Sequence, residues 1–471
     1  MKIHKSYRFW LLIIPPLISL SLYFSSLNYF FFQDDFYEIL ISRVNNFEGF
    51  LSLFKFLSNR SSYRPVGLQT YFFTSYSLFG LNPIAFRTIT FGLFFISYFL
   101  IIKVIKKITG SHQIGFLTAS LWVLSAIHFM SLTWIAASWL IIGLFFFLVA
   151  SLLFLDFSQK ERKIYYILSF IFFVLSALSF EFFVSFPLIF GYYCLFIQKK
   201  SLWQTVKICS PFLLIIFIYL IFRSQYSYLP NIPEYRVAFN FESLKALFWY
   251  ILWSFNIPEE FKKQVITFLV VPSRTFVNEF WPLVAKTVVS ALLIILLGIL
   301  LPIFKNLKNH KNINLILIGF GTTWFVTSIS PVLILPNHSF SMYLTLASIG
   351  IYLIISYLII SFNRVSVIIV IFLIWLFSSF TTISFYRDSS WMIESQNFAR
   401  QFATQLKSRF PQLPQDAVVF YPLSDKRHIQ AVLNQNEIKV IYNNPSISIF
   451  YNEADFIEYL KENPTNNIYK F

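Results

Sequence analysis

The chain has 471 residues, of which 57% are hydrophobic and only 12% are charged, and its mean hydropathy is +0.66. Soluble domains carry about twice that proportion of charged residues, so the composition excludes a string of soluble domains. The apolar residues form runs of roughly 20, the length that a helix needs to cross a bilayer. The sequence therefore predicts an all-α polytopic membrane protein.

Eleven apolar runs are candidate transmembrane helices. In chain order they are Phe9–Leu27, Pro83–Ile105, Ile114–His128, Leu132–Leu155, Ile164–Phe180, Phe182–Ile197, Trp203–Phe222, Thr287–Phe304, Ile313–Leu333, Phe340–Ser361 and Val365–Phe385. A twelfth run, Val66–Phe79, would make a helix of only about 21 Å. Counting it as a span would also move Lys103, Lys106 and Lys107 to the outer side. We therefore predict that Val66–Phe79 is a helix lying in or dipping into the outer membrane interface.

The net charge of +16 is distributed unevenly between the two sides of the membrane. Lys and Arg recur in alternate connections, at the N-terminus, within 103–107, 160–163, 199–207 and 305–311, and at Arg364. The short connections on the other side, around 129–131, 181 and 336–339, contain none. The positive-inside rule then predicts a cytoplasmic N-terminus and an extracytoplasmic C-terminus. A basic face against anionic lipid accounts for the charge, so no nucleic-acid partner is expected.

This orientation divides the chain into two domains. Residues 1–386 are predicted to form a transmembrane module with outer loops at 30–82 and 223–286, and residues 387–471 a small extracytoplasmic α/β domain. In that tail the pattern predicts helices at Trp391–Arg409, near Lys426–Asn434 and near Glu453–Leu460, and strands at Ala417–Tyr421 and Ile438–Tyr442.

Acidic residues indicate where chemistry could occur, because charges near a membrane are costly and usually functional. The first span runs directly into Gln33-Asp34-Asp35, so two adjacent carboxylates leave the membrane at the level of lipid headgroups. Such a pair could simply be solvated at a helix end. The segments that follow favour a site, since Tyr63-Arg64-Pro65 precedes the interfacial helix and Phe79-Gly80-Leu81-Asn82-Pro83 leads to Arg87.

This ordered set of motifs resembles the GT-C superfamily of membrane glycosyltransferases, which includes protein O-mannosyltransferases and the aminoarabinose transferase of lipid A. Three further stretches are similar to the O-mannosyltransferase-like branch: Ala126-Ile127-His128 followed by Trp134-Ile135-Ala136, Ser179-Phe180-Glu181 followed by Pro187, and Leu335-Pro336-Asn337-His338 followed by Tyr343. The chain departs from that branch at Phe180, where the branch has Lys, and at Met342, where the late element usually has Arg.

The resemblance implies a GT-C-like fold and a hexosyl- or pentosyltransferase that uses a polyprenyl-phosphate-linked sugar. It also implies inverting transfer on the outer face to a hydroxyl of a protein, lipid or glycan. A carboxylate suits the base that such a reaction needs, and cations suit the phosphate leaving group. The match to the family's first acid assigns Asp34 as the base and Asp35 as its partner or an acceptor ligand, although the reverse stays open. Arg64, Arg87 and Tyr343 are expected to bind the donor phosphate, with a core position as the alternative for Tyr343.

Three other residues are candidates for contacting or supporting the acceptor. Glu181 either caps a helix or binds the acceptor, and His128 and His338 either take part in the site or form ordinary interfacial hydrogen bonds. No cofactor is expected. A divalent metal is an alternative that we do not favour, because its ligands would come from separate helices without a spacing signature; they would be Asp34, Asp35, Glu181, His128 and His338.

Rival functions predict different patterns. A transporter or a flippase for lipid-linked glycans would have ionisable groups near the midplane and glycine-broken helices in related halves, whereas the chain has only 12 glycines and its charges lie at the outer rim. A glycan polymerase would be expected to use a large late outer loop. A non-catalytic scaffold would leave the outer charged residues on one face by coincidence. We therefore expect a glycosyltransferase of the bacterial plasma membrane.

Overall fold

Apolar helices make up most of the computed structural model, which describes residues 5–55, 63–226, 232–264, 274–309, 313–464 and 467–471. Seven of the described helices are long and apolar enough to cross a membrane: Pro83–Thr109, Ile135–Lys160, Leu202–Gln225, Phe280–Lys308, Leu315–Leu333, Ser341–Ser361 and Val365–Arg409. The pair His112–Val123 and Ala126–Thr133, bent by 50°, provides an eighth. Three shorter apolar helices cover Leu12–Asn28, Lys163–Ala177 and Glu181–Ile197. Each of the eleven predicted spans falls on one of these helices, and the chain is an integral multi-pass membrane protein.

The second predicted outer loop, 223–286, is partly buried in the helix bundle. Its helix Phe241–Trp253 is followed by a turn in which Asn256 is 1% exposed and has a φ of 62°. The Asn256 side-chain oxygen accepts hydrogen bonds from the Ser125 hydroxyl (2.9 Å) and the Ala126 N–H (2.8 Å). These bonds satisfy backbone and hydroxyl groups at the bend between His112–Val123 and Ala126–Thr133. Part of the predicted outer loop is therefore packed into the end of the bundle, and residues 227–231 and 265–273 of the loop lie outside the described part.

The run Val66–Phe79 forms a short helical segment made of the π-helix Pro65–Thr70 and the α-helix Tyr71–Phe79. It packs closely against the end of Lys163–Ala177, since the Val66 N–H donates to the Leu178 carbonyl at 2.9 Å. A Cβ on Gly67 would lie 2.6 Å from the Ser179 carbonyl oxygen, so only glycine permits this approach. The contact brings Arg64 beside Glu181. Residues 56–62 of the same predicted outer loop lie outside the described residues.

The late helices Leu315–Leu333 and Leu344–Ser361 approach each other at a pair of glycines. A Cβ on Gly321 would lie 2.7 Å from the carbonyl oxygen of Gly350. Small residues at such crossings allow the backbones of membrane helices to come into contact. The close crossing fixes the two helices that flank the segment carrying His338 and Tyr343.

The C-terminal residues form a small α/β unit, as predicted. Its helices are Trp391–Arg409, Lys426–Ala431, Asn436–Ile441 and Glu453–Glu462. Three parallel strands, Val418–Phe420, Ser448–Phe450 and Ile468–Lys470, form a sheet with the first strand in the centre. A compact apolar core that includes Phe402, Leu406, Val419, Ile438 and Ile449 joins the helices to the sheet.

One predicted strand, Ile438–Tyr442, is wrong. The segment is the helix Asn436–Ile441, which packs against the helix Asp34–Ile41 near the start of the chain. Its β-branched residues favour a strand locally, but Ile438 and Val440 are buried by tertiary contacts that the local pattern does not contain. The strands Ser448–Phe450 and Ile468–Lys470 were not predicted.

Hydrogen bonds tie the C-terminal unit to the loop that follows the first span. The Gln33 N–H donates to the Ala431 carbonyl at 2.7 Å, and the Phe30 N–H donates to the Gln396 side-chain oxygen at 3.0 Å. At the other end of the helix Asp34–Ile41, the Arg43 guanidinium donates to the Asn443 side-chain oxygen at 2.9 Å. The loop and the C-terminal unit therefore lie on the same side of the bundle.

We expect this shared side to be extracytoplasmic. Single cysteines replacing Asn45 and Lys461, both exposed, should react with a membrane-impermeant maleimide in intact cells. A cysteine replacing Lys106 should react only after the membrane is permeabilised, because the positive-inside rule places that connection in the cytoplasm. The native Cys194 and Cys209 are buried and should give little background. Labelling of the Asn45 and Lys461 positions only in permeabilised cells would contradict the proposed orientation.

Candidate active site

A cavity of 1170 Å³ lies where the first predicted outer loop, the ends of several membrane helices and the C-terminal unit meet. Its size is that of a site for a small molecule or a lipid headgroup. Five of the predicted site residues line it: Asp34, Arg64, Glu181, His338 and Tyr343. The other three, Asp35, Arg87 and His128, are buried elsewhere.

Asp34 is the first residue of the helix Asp34–Ile41 and points into the cavity. Its side chain is open to the cavity interior, but protein surrounds the cavity on most sides. This enclosure raises the pKa of the Asp34 carboxyl above its usual 3.8, while the positive charge of Arg64 partly opposes the shift. A carboxylate with a raised pKa holds a proton more tightly and is a better general base than an exposed one.

Asp35 is fully buried and faces away from the cavity. Its carboxylate accepts hydrogen bonds from the backbone N–H groups of Phe32, at 3.1 Å, and Ala136, at 2.6 Å. Burial raises the pKa of Asp35 to about 7, although the Arg87 charge and the two hydrogen bonds lower it. Asp35 therefore joins the loop after the first span to the first turn of the helix Ile135–Lys160. Its position favours a structural role over contact with the acceptor.

Arg87 is buried and does not line the cavity, so its position does not fit the predicted role in phosphate binding. The guanidinium is 1% exposed and donates hydrogen bonds to the backbone carbonyls of Tyr29, Phe30 and Thr133. A guanidinium with five N–H donors suits a position where three carbonyl oxygens converge. Arg87 thus holds the same loop through its carbonyl oxygens, whereas Asp35 holds it through the N–H of Phe32.

Two cations of the membrane module line the cavity, Arg64 and Arg223, and both contact Glu181. The Arg64 Nε lies 3.1 Å from each Glu181 carboxylate oxygen, and Arg223 Nη1 lies 3.7 Å from one of them. The Arg64 guanidinium also stacks on Trp139, 3.4 Å from the ring centroid, while Arg223 donates to the Tyr219 hydroxyl at 3.0 Å. Two guanidinium groups sharing one carboxylate leave a net positive charge on this wall.

Arg223 is a site residue that the sequence argument did not select, although a signal was present. It lies just after the predicted span Trp203–Phe222, on the side where the short connections carry no Lys or Arg. A basic residue at an outer helix end is exceptional under the positive-inside rule. That exception could have marked Arg223 as functional.

His338 and Tyr343 belong to an aromatic part of the cavity wall. The His338 ring stacks on Tyr235 with centroids 4.5 Å apart and lies 6.1 Å from the Tyr343 ring. Burial and the nearby Arg64 charge lower the pKa of His338 to about 4, so its imidazole is neutral at physiological pH. A neutral imidazole can both donate and accept hydrogen bonds at the cavity surface.

His128 is a core residue. Its ring packs between Phe94 and Trp122, and Nε2 lies 2.9 Å from the Trp122 carbonyl oxygen. The alternative metal-ligand set that included His128 and Asp35 is thus not assembled. No group of three His, Cys, Asp or Glu side chains with metal-binding geometry occurs among the residues that the structure describes.

One side of the cavity is apolar and adjoins a helix with an exposed apolar face. Ile216 and Leu220, from Leu202–Gln225, line it together with Val184, Val332 and Val237. Leu213, Leu214 and Phe217, from the same helix, are exposed on the molecular surface. The apolar side gives an aliphatic chain room beside the charged wall.

The C-terminal unit supplies a further wall that the sequence did not predict. Trp391, Glu394 and Ser395 from Trp391–Arg409 line the cavity with Arg427, His428 and Gln430. These residues belong to a segment whose mixture of polar and apolar positions is typical of soluble domains. Nothing in that pattern indicates which of its surfaces meets the membrane module.

No model of a known protein family matches the chain, and no curated protein is significantly similar to it. Among solved structures, ArnT from Cupriavidus metallidurans bound to undecaprenyl phosphate aligns over 97% of this chain and 89% of its own, with 12% identity and a TM-score of 0.46. ArnT from the same organism in the apo state aligns over 99% and 90%, with 13% identity and a TM-score of 0.40. Both TM-scores are below 0.5, so a function must be argued from the cavity.

The different positions of the two adjacent carboxylates predict different effects on stability. Asp35→Ala leaves two buried N–H groups unpaired, each costing about 1–3 kcal/mol, so the free energy of unfolding in detergent should fall clearly. Asp34→Ala, at the cavity surface, should change it by no more than about 0.5 kcal/mol. Equal effects of the two substitutions on thermal unfolding would refute the assignment.

The Asp35 effect should also depend on pH. Because the folded-state pKa of about 7 exceeds the usual 3.8, the folded protein retains a proton in this interval that the unfolded chain releases. The stabilising contribution of Asp35 is therefore largest below pH 4 and declines as the pH rises towards 7. The difference in stability between the parent protein and Asp35→Ala should narrow over that range.

Proposed function

We propose that this protein is a GT-C-type membrane glycosyltransferase, transferring a sugar from a polyprenyl-phosphate-linked donor to an acceptor hydroxyl on the extracytoplasmic face, with inversion. The observation that carries the proposal is the meeting of three features in one cavity at the end of the bundle. These are the Asp34 carboxyl, the Arg64–Arg223 pair and an apolar side wall.

The Arg64–Arg223 pair suits the donor phosphate. Arginine forms directional, charge-assisted hydrogen bonds with phosphate oxygens. Glu181 holds both guanidinium groups in place, so its proposed role is to position them and not to contact the acceptor. The apolar side at Ile216, Leu220 and Val332 would accommodate the first isoprene units, and the Tyr343 hydroxyl could donate to the phosphate.

Asp34 is proposed as the general base. As the acceptor oxygen attacks the anomeric carbon opposite the phosphate, its proton passes to the Asp34 carboxylate. The anomeric carbon–oxygen bond to the phosphate then breaks, and its electron pair leaves with the phosphate. The negative charge of the leaving group is stabilised by Arg64 and Arg223, so no protonated acid is required. Attack from the opposite face inverts the anomeric configuration.

The base assignment is tested by Asp34→Asn, which preserves size but cannot accept the proton. Turnover of a polyprenyl-phosphate sugar by the purified protein should fall roughly 10²–10⁴-fold. In the parent, kcat/KM should decrease as the pH falls through a pKa above 3.8, because protonated Asp34 is not a base. Asp416→Asn is a matched control, since Asp416 is exposed in the C-terminal unit with a φ of 61° that asparagine tolerates. Unchanged turnover in Asp34→Asn would remove this residue from the mechanism.

The donor-phosphate assignment predicts that Arg64→Ala and Arg223→Ala each raise the KM for the donor. Losing hydrogen bonds to a charged group costs about 1.5–3 kcal/mol, which corresponds to roughly 10–150-fold. Lys106→Ala, which removes an exposed cation elsewhere in the protein, should leave the donor KM unchanged. Similar kinetics for all three variants would mean that the phosphate binds elsewhere.

A further inference from the structure

Two tryptophans from distant parts of the chain meet at the cavity beside Asp34. Trp134 precedes the helix Ile135–Lys160 and Trp391 begins the first C-terminal helix; their ring centroids are 5.7 Å apart and their planes are nearly perpendicular. Both rings pack on Phe32, two residues before Asp34, at 6.0 and 6.1 Å. Both indoles are partly exposed and line the cavity.

Polar side chains of the C-terminal unit continue the wall from Trp391. Glu394, one helical turn further on, lies 3.5 Å from an Arg427 nitrogen and 3.7 Å from His428 Nε2. The His428 ring stacks face to face on Phe398, with centroids 4.1 Å apart. These contacts hold the carboxylate and the imidazole in defined positions, and Gln430 lies next to them on the same cavity surface.

This combination of groups matches the surface of a sugar ring. A pyranose has an apolar C–H face, which packs on an indole, and a rim of hydroxyls, which bond to planar polar side chains such as Glu, Gln and His. The positive charge of Arg427 is already matched by Asp425, at 3.1 Å, and Glu394. The wall is therefore better suited to a neutral, hydroxyl-rich ligand than to an anion.

The wall also lies where an acceptor would have to bind. The charge of Arg64 acts on Asp34 from the donor-phosphate side. From the C-terminal unit, the Ala431 carbonyl accepts the N–H of Gln33, the neighbour of Asp34. Asp34 is thus adjacent both to the proposed phosphate site and to the wall that carries Gln430.

We propose that Trp134, Trp391, Glu394, His428 and Gln430 form a saccharide-binding subsite, and that the acceptor hydroxyl belongs to a sugar ring. The acceptor role rests on the proposed glycosyltransferase function, whereas binding of a saccharide to this wall does not. The C-terminal unit then selects the acceptor, while the membrane module binds the donor.

The test is saturation-transfer NMR with the purified full-length protein in detergent, without donor, using the neutral disaccharides chitobiose, maltose and cellobiose. At least one should give ring-proton signals with the parent protein. Binding should weaken roughly tenfold or more in Trp391→Ala and in Glu394→Gln, and Trp391→Phe should retain most of it because it keeps a stacking ring. Trp203→Ala and Glu458→Gln, both at exposed positions away from the cavity, are the matched controls.

Three outcomes would overturn the subsite: no signal from any of the three disaccharides, equal signals in the parent and both cavity variants, or equal losses in the controls. Signals from a Ser/Thr peptide alone, lost in Trp391→Ala, would assign the wall to a protein acceptor and also reject the saccharide. Sugar release from a polyprenyl-phosphate donor is measured separately. A parent protein that binds a disaccharide but releases no sugar would refute the glycosyltransferase function and support the subsite. A parent protein that releases sugar but binds no disaccharide would refute the subsite and support the glycosyltransferase function.

Discussion

The cavity depends on one buried carboxylate, that of Asp35. It binds backbone N–H groups of Phe32 and Ala136, which lie about 100 positions apart in the chain. Arg87 holds the same two segments together, since its guanidinium donates hydrogen bonds to the carbonyls of Phe30 and Thr133. Adjacent residues of an α-helix point about 100° apart, so burying the Asp35 side chain turns that of Asp34 towards the open space. A carboxyl group buried in the protein thus sets the direction of the group proposed to react.

Glu181 performs a comparable function for the two cations. Arg64 and Arg223 repel each other when brought to one wall, and a single carboxylate between them offsets that repulsion without cancelling the charge. Stacking on Trp139 further limits the freedom of the Arg64 guanidinium. An anionic ligand therefore meets donors that already have their orientation, so less entropy is lost on binding. The two guanidinium groups also offset the cost of placing the Glu181 carboxylate near the membrane.

The predictable parts of this protein are those decided by local chemistry. Apolar length identified the spans, and the positions of Asp34, Arg64, Glu181 and His338 at outer helix ends indicated one region. Arg87 and Arg223 also lie at helix ends and carry the same charge. Tertiary contacts, which the sequence pattern does not contain, bury Arg87 and leave Arg223 facing the cavity. Which of Asp34 and Asp35 faces the cavity depends on how their helix packs against the rest of the protein. The helical state of Asn436–Ile441 depends on its contact with the helix Asp34–Ile41. The local sequence predicts neither outcome. The wall at Trp391 and His428 depends on how two separate units meet, which a hydropathy pattern does not contain.

The contacts between the first outer loop and the C-terminal unit have a consequence for biosynthesis. Arg43 and Asn443, which are hydrogen-bonded to each other, are 400 positions apart, and Gln33 and its partner Ala431 are separated by almost as many. Contacts of such sequence separation form late, because the intervening chain must first be made and folded. The membrane helices can insert one after another during translation. The loop bearing Asp34, however, lacks its hydrogen-bond partner until the segment containing Ala431 has been synthesised. A chain that has been synthesised only as far as the membrane helices can therefore be inserted, but it lacks a finished cavity until the segment around Ala431 has been made and has docked.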